Sequence, residues 1–283
     1  MKFHIIIPAH NEEDYIGLTL QSLISQTLVP KHIIVVNDNS TDTTQAIVEQ
    51  FVKKYDFISL INTQSSDKHL PGTKIINAFY KGYESLDKDY DVICKYDADL
   101  IFPNDYLETL ASHFNSDSKL GMAAGFCYIE KNNTWIREGI TGKDHIRGAL
   151  KAYTKGCFQD IGGLKKSIGW DTVDEILAKY YDWHYILDPT LHVKHLKPTG
   201  ASYNKKAKYI QGEALYKMRL GFMLTTLSAL KRAFAKRSIP YFFNTLLGYA
   251  KATIKKPPFI MDKDQGKFFR KLRWKGIRKV LFK

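Results

Sequence analysis

Cysteine is scarce in this chain. Three occur in 283 residues, Cys94, Cys127 and Cys157, far apart and without metal-ligand spacing. That excludes a disulfide scaffold, and an odd, sparse count fits a reducing compartment. Asn39 and Asn132 head N-x-T sequons that a cytoplasmic protein leaves unused. Long apolar runs are missing too. The stretch after Met1 covers only residues 5–9, too short for the apolar core of a secretory signal. Near the C-terminus the longest charge-free runs are residues 220–230 and 238–250, well short of the ~20 residues of a spanning helix. The expectation is a soluble protein, or one lying on a membrane surface. There is no internal repeat and no low-complexity tract. What remains, 44% hydrophobic and 25% charged, suits an ordinary globular chain of one large domain or two small ones. Such a chain buries a sizeable core without staples.

Acidic residues are nearly absent from the last third. Residues 201–283 hold 21 Lys+Arg and 3 Asp+Glu, leaving 21 and 26 for residues 1–200. A mildly acidic body is therefore followed by a strongly basic region. There the cations alternate with bulky apolar side chains such as Phe222, Phe234, Phe243, Phe269 and Trp274. That mixture suits interfacial helices on anionic lipid. An amphipathic helix packed on the domain with a solvated basic face is the plainer alternative. Nucleic acid is not expected, because no binding motif accompanies the charge.

The first 130 residues alternate between two patterns. Short apolar runs at residues 3–8, 32–38, 57–62, 91–96 and 120–129 read as buried strands. Between them, residues 12–26, 44–54, 72–86 and 104–114 carry apolar side chains at helical spacing. Such alternation implies βαβ units and a mostly parallel sheet. After Lys131 the rhythm breaks. A solvated loop with Trp135, Arg137, His145 and Arg147 is expected, then a strand over 148–154. A helix opens at Trp170-Asp171, and two strands follow at 183–187 and 191–195. Beyond Gly212 the pattern is helical, interrupted at Pro240 and Pro257-Pro258.

Ligands of open α/β sheets bind beyond the carboxyl ends of the strands. Polar clusters stand at those ends: Pro8-Ala-His-Asn-Glu-Glu13, Asn37-Asp38-Asn-Ser and Asp97-Ala-Asp99. One such Asp is a common turn residue; three clusters on one edge are harder to assign to turns. Acidic side chains would repel an anionic substrate, so a divalent cation is expected between them, Mg²⁺ or Mn²⁺ by the oxygen ligands.

These pieces carry a resemblance. IIIPAHNEE, VVNDNSTD, PGTKIINA, DAD, CFQDIGGL, GWDTVDEI and KHLKPTG stand in the order and spacing of a family 2 glycosyltransferase, over roughly residues 3–200. The resemblance implies the α/β GT-A fold, a Rossmann-like, mostly parallel sheet flanked by helices, here with a basic helical C-terminal extension. It divides the chain into a catalytic domain, 1–204, and a basic helical region, 205–283. Within the former, 1–130 would hold the nucleotide and 131–204 the acceptor.

The resemblance also implies an inverting, metal-dependent sugar transfer from a nucleotide-diphosphate sugar to a glycan or lipid-linked acceptor, in cell-surface polysaccharide or glycolipid assembly. Pro8, Ala9, Asn11 and Glu12 would line the nucleotide pocket. Asp38 would accept the nucleobase N–H, and Lys74 would meet the diphosphate. Asp97 would lie near the ribose and the metal, with Asp99 and His195 as metal ligands. Asp171 would be the base, although Trp170 stands where the family usually carries a Glu; Asp174 is the fallback. For Asp171 alone, a helix cap is the structural alternative. The implied location is peripheral, at the inner face of the cytoplasmic membrane. Two other classes compete. A nucleotidyltransferase can use a similar sheet, but PAHNEE lacks its glycine-rich loop. A non-catalytic membrane-surface or polyanion-binding protein would not need the DxD carboxylates.

Overall fold

Four apolar runs become adjacent parallel strands: β1 (Phe3–Ala9), β2 (His32–Asp38), β3 (Ile58–Thr63) and β4 (Val92–Tyr96). Their register sets Ala9 beside Asn37 and Asn37 beside Asn62, so the polar strand ends line one edge. Ile5, Ile6, Ile7, Val35 and Val36 are fully buried because helices cover the sheet. Those helices are α1 (Ile16–Ile24), α2 (Thr44–Lys54) and α3 (Thr73–Ser85). At Gly82 of α3 an added Cβ would sit 2.8 Å from Ile6 and 3.0 Å from Val36, so the missing side chain lets the helix approach the strands. The expected first helix starts late. Residues 12–15 form a turn in which Tyr15 and Ile16 N–H both donate to the Glu12 carbonyl, after Asn11 at positive φ.

The computed structural model describes residues 1–65, 72–139, 144–197 and 209–281. They divide between two compact units, Met1–Lys166 with Tyr181–Thr199, and Ser167–Tyr180 with Gly200–Lys283. The expected boundary at 204/205 lies outside the described residues, as does Pro71.

The first unit continues with β5 (Leu100–Ile101), α4 (Tyr106–Ser116), β6 (Leu120–Lys131), β7 (Thr134–Arg137), β8 (Leu150–Thr154), α5 (Lys155–Asp160) and β9 (His184–His195). The sheet order is β3-β2-β1-β4-β8-β6-β9-β5, with β7 paired to β6. It is parallel through β4; beyond that β8 and β5 run antiparallel to their neighbours, while β6 and β9 are parallel. Two expectations are corrected. Where two strands were expected at 183–187 and 191–195, His184–His195 form one bulged strand, because Gly125 of β6 lets the backbone of Leu191 approach where a Cβ would collide. Trp135 and Arg137 lie in β7, not in a loop, since β7 folds back as a hairpin on β6.

His4 of β1 is buried, and neither ring nitrogen has a hydrogen-bond partner. Burial lowers its pKa from 6.5 to about 4, and Asp87 at 3.7 Å restores only part. The unfolded chain therefore takes up a proton near pH 6.5 that the folded chain refuses until about 4. Stability is full above this window and falls as pH drops through it, by up to about 3 kcal/mol. His4→Leu should flatten the pH dependence of the urea midpoint there. An unchanged slope would show that other groups set it.

The second unit is helical: α6 (Trp170–Tyr180), α7 (Ile210–Lys217), α8 (Phe222–Ala235), α9 (Ile239–Lys255) and α10 (Lys263–Leu281). The interruption expected at Pro240 falls at residues 236–238, between α8 and α9, just ahead of the proline. Pro240 occupies the first turn of α9, where its missing N–H costs nothing, and the Ser238 hydroxyl accepts from Tyr241 N–H. Among the described residues no helix is long and apolar enough to cross a membrane.

Candidate functional site

The loops after β1 and β2 are stitched together at the polar edge. Asn11 N–H donates to Ser40 Oγ, and Asn11 Oδ1 accepts from Thr41 N–H at 2.8 Å. Glu12 N–H donates to Thr44 Oγ1, and Glu13 accepts from the backbone and hydroxyl of Thr43. Asn11 and Asn39 both hold positive φ, a conformation asparagine tolerates well. The PAHNEE and NDNSTD segments thus form one wall. Pro8 is half-buried and Ala9 buried at its base. Asp38 is buried at the end of β2; its Oδ1 accepts from Ser65 N–H at 2.8 Å, and its carbonyl is 2.7 Å from His10 Nδ1.

Beyond β4 the two aspartates of the DxD segment differ. Asp97 is ion-paired to the buried Lys95, whose ammonium also donates to the Gly148 carbonyl. Burial alone would raise the Asp97 carboxyl; the Lys95 cation outweighs it, and the net shift is downward. Asp99 instead faces β9. Its Oδ2 lies 3.3 Å from His195 Nε2, and both residues are buried. Pairing of Leu100 with His195 across β5 and β9 sets this approach. The other ring nitrogen, Nδ1, bonds Glu138 Oε2 at 2.8 Å, and Arg147 Nη1 is ion-paired to the same oxygen at 2.7 Å. Burial would lower the His195 pKa, but the two carboxylates overcome it and hold it at about 9. Without a cation the ring is therefore an imidazolium bridging two acids.

The Asp99–His195 pair fits a divalent cation. Two neighbouring ligands of an octahedral ion with bonds of about 2.1 Å stand about 3 Å apart. The carboxylate on Nδ1 fixes the ring so that Nε2 faces Asp99, the usual support of a metal-binding histidine. Cys127 brings a third potential ligand atom within 4.8 Å of Glu138 and His195. Burial pushes its thiol pKa up, which leaves it protonated and a poor ligand.

Glu12 closes the same edge. Its Oε1 accepts from Lys197 Nζ at 3.1 Å, while Oε2 is buried without a hydrogen-bond partner. Burial raises its pKa and Lys197 offsets only part of that. Lys74 stands half-buried in the first turn of α3, behind Gly72 at positive φ. Asp171 belongs to the second unit, in the first turn of α6. It is the second helical residue, so the cap alternative is corrected: helical structure already begins at Trp170. Asp174 is buried, and its carboxylate accepts from Glu175 N–H.

Sequence reasoning missed Glu138, Lys95 and Lys197. Lys95 carried a signal, a cation inside the buried run DVICKY that demands a counter-ion. Glu138 carried none beyond its place after a hairpin strand. Arg147, expected in a solvated loop, is instead largely buried against Glu138. His192, an odd number of residues from His195, points to the opposite, exposed face and stacks on Tyr128.

Known proteins resemble this chain in sequence and in fold. The sequence profile "Glycosyl transferase family 2" matches residues 4–167. A probable glycosyltransferase, YdaM of Bacillus subtilis, is 36% identical over 207 residues, 65% of this chain and 47% of that protein. The poly-beta-1,6-N-acetyl-D-glucosamine synthase of Staphylococcus epidermidis is 29% identical over 73% of this chain and 53% of its own. The chain spans about half the length of the curated relatives it matches. Among solved structures, the mannosyltransferase PcManGT from Pyrobaculum calidifontis, in complex with GDP-Man and Mn²⁺, superposes with a TM-score of 0.55 at 13% identity, covering 100% of this chain and 81% of that one. S. aureus TarS 1-349 with UDP-GlcNAc gives 0.53 at 18% identity over 76% and 67%. These likenesses show the GT-A fold.

Proposed function

The chain belongs to glycosyl transferase family 2, and on that premise we propose that it moves a sugar from a nucleotide-diphosphate donor to an acceptor hydroxyl. The carrying observation is the buried Asp99–His195 pair, with Glu138 behind the histidine and the donor-side loops stitched beside it. Asp38 retains acceptor capacity for a nucleobase N–H after serving Ser65. The unpartnered Oε2 of Glu12 suits a ribose hydroxyl. Pro8, Ala9 and Asn11 shape that pocket. Lys74, at a helix N-terminus, suits the diphosphate. Asp97, already neutralised by Lys95, would touch ribose rather than carry the cation's charge. Asp99 and His195 would hold the cation; a mixed oxygen–nitrogen pair favours Mn²⁺ over the harder Mg²⁺. When bound, the ion supplies positive charge to the departing diphosphate.

Asp171 would take the proton of the acceptor hydroxyl, and one in-line displacement would invert the anomeric centre. The acceptor would be a glycan or lipid-linked sugar in cell-surface assembly. The basic C-terminal helices would rest on an anionic membrane at the inner face of the cytoplasmic membrane. Residues 1–204 would be the catalytic domain and 205–283 its membrane-facing extension.

A thermal-shift panel of UDP-, GDP- and dTDP-sugars, with and without Mn²⁺, tests this. The right donor should stabilise the protein only with metal, by about 2.7 kcal/mol at a hundredfold excess over its dissociation constant. No response to any donor with Mn²⁺ would sink the reading. Release of pyrophosphate rather than nucleoside diphosphate would replace it with nucleotidyl transfer.

A further inference from the structure

Large apolar side chains lie on the outside of α8 and α9 in an ordered way. On α8, Met223, Leu227, Leu230 and Phe234 recur every three or four residues and are exposed. On α9, Ile239, Phe243 and Leu247 recur every four residues, Ile254 follows two turns later, and all four are exposed. Phe234 is 76%, Ile239 74% and Ile254 80% exposed, the three highest values for large apolar side chains among the described residues. The opposite side of α9 is already used. Thr245, Gly248 and Ala252 are buried, and α7 crosses there so closely that a Cβ on Gly248 would strike the Tyr209 carbonyl. At 100° per residue the exposed α9 stripe points roughly 180° from this buried one. Scattered exposed apolar residues are ordinary; two stripes at helical spacing on consecutive packed helices are not.

The surrounding charge selects the occupant. Residues 214–261 contain no Asp or Glu. Lys231, Arg232, Lys236 and Arg237 lie beside the end of the α8 stripe or just past it, and Lys251, Lys255 and Lys256 do so for that of α9, all exposed. Apolar stripes ending in cations, without one acid, match acyl chains beneath anionic headgroups. We infer that α8 and α9 dock on an anionic bilayer by sinking these two stripes into the boundary between headgroups and acyl chains. This rests on the membrane reading above and deepens it from charge contact to apolar insertion by named faces.

The full chain can be tested with mixed phosphatidylglycerol–phosphatidylcholine vesicles and with pure phosphatidylcholine vesicles. Cys94, Cys127 and Cys157 are buried, so a nitrobenzoxadiazole label on Met223→Cys or Phe243→Cys reports its own site. Both labels should brighten and shift to the blue on the anionic vesicles, while one on Ser118→Cys in the first unit should not. The double variant Phe234→Ser/Ile254→Ser should bind these vesicles at least ~10-fold more weakly, with an unchanged circular dichroism spectrum. Labels that stay in water, or a double variant that binds like wild type, would overturn insertion. So would a concentration-dependent dimer that shields both labels without lipid, because the faces would then meet a second copy. Donor-dependent thermal shifts on the same samples separate the two ideas: lost lipid binding with an intact shift leaves sugar transfer standing.

Discussion

Asp99→Asn should lower donor turnover at least about a thousandfold, with Mn²⁺ binding lost in parallel. Asparagine keeps the shape but removes the charge of a carboxylate whose Oδ2 lies 3.3 Å from His195 Nε2 and which would hold the cation with it. The backbone bond from Leu196 N–H to the Asp99 carbonyl is untouched, so the strand pair that places the site should persist. Asp97→Asn should weaken Mn²⁺ binding far less, because Lys95 already consumes that charge. Glu138 gives a graded control. Glu138→Leu should cost about 10- to 100-fold in Mn²⁺ affinity by freeing the His195 ring. Glu138→Gln should recover most of it, since an amide oxygen still accepts from Nδ1–H. Manganese paramagnetic resonance and nucleoside-diphosphate release read the two effects. Full metal affinity in Asp99→Asn would place the ion elsewhere.

The parts of this arrangement that were legible in the sequence share a cause. A strand buried on both faces must be apolar along its length, so the first polar residues mark its end. Asp38, Asp97 and the PAHNEE loop could therefore be set on one edge before any coordinates. The second half of the sheet offered less. Asp188-Pro189-Thr190 reads as a break, yet β9 runs through it because Gly125 on the neighbouring strand accommodates the bulge. That requirement belongs to a strand some sixty residues away and leaves no local trace. Glu138 was invisible for a similar reason. Its chemistry comes from His195 and Arg147, which long-range pairing brings to it. Lys95 and His4 show the reverse case. Polar residues inside apolar runs are in plain view, and the cost of burying them demands either a partner or a neutral form.

Asp171→Asn should reduce transfer about a thousandfold or more while leaving donor-dependent and Mn²⁺-dependent thermal shifts intact. The physics behind this separates it from Asp99→Asn. A base acts on the acceptor proton, so its loss slows the step without weakening the donor complex, whereas loss of a cation ligand weakens both. A purely structural Asp171 makes another forecast. An acid in the first turn of α6 interacts with the helix dipole, and its neutralisation would cost roughly 0.3–1 kcal/mol of stability with no slowing of transfer. Melting temperature and turnover therefore move in opposite patterns under the two roles. Trp170 and Thr172 flank Asp171, which makes the measurement more informative, because no adjacent acid can take over. Asp174 is the nearest substitute, but it is buried and its carboxylate already accepts from Glu175 N–H. Asp174→Asn should accordingly lower stability more than turnover. If Asp174→Asn stops transfer and Asp171→Asn does not, the base lies one turn further along α6. Nucleoside-diphosphate release with a membrane extract as the acceptor source, run beside the thermal shifts, decides between the two acids.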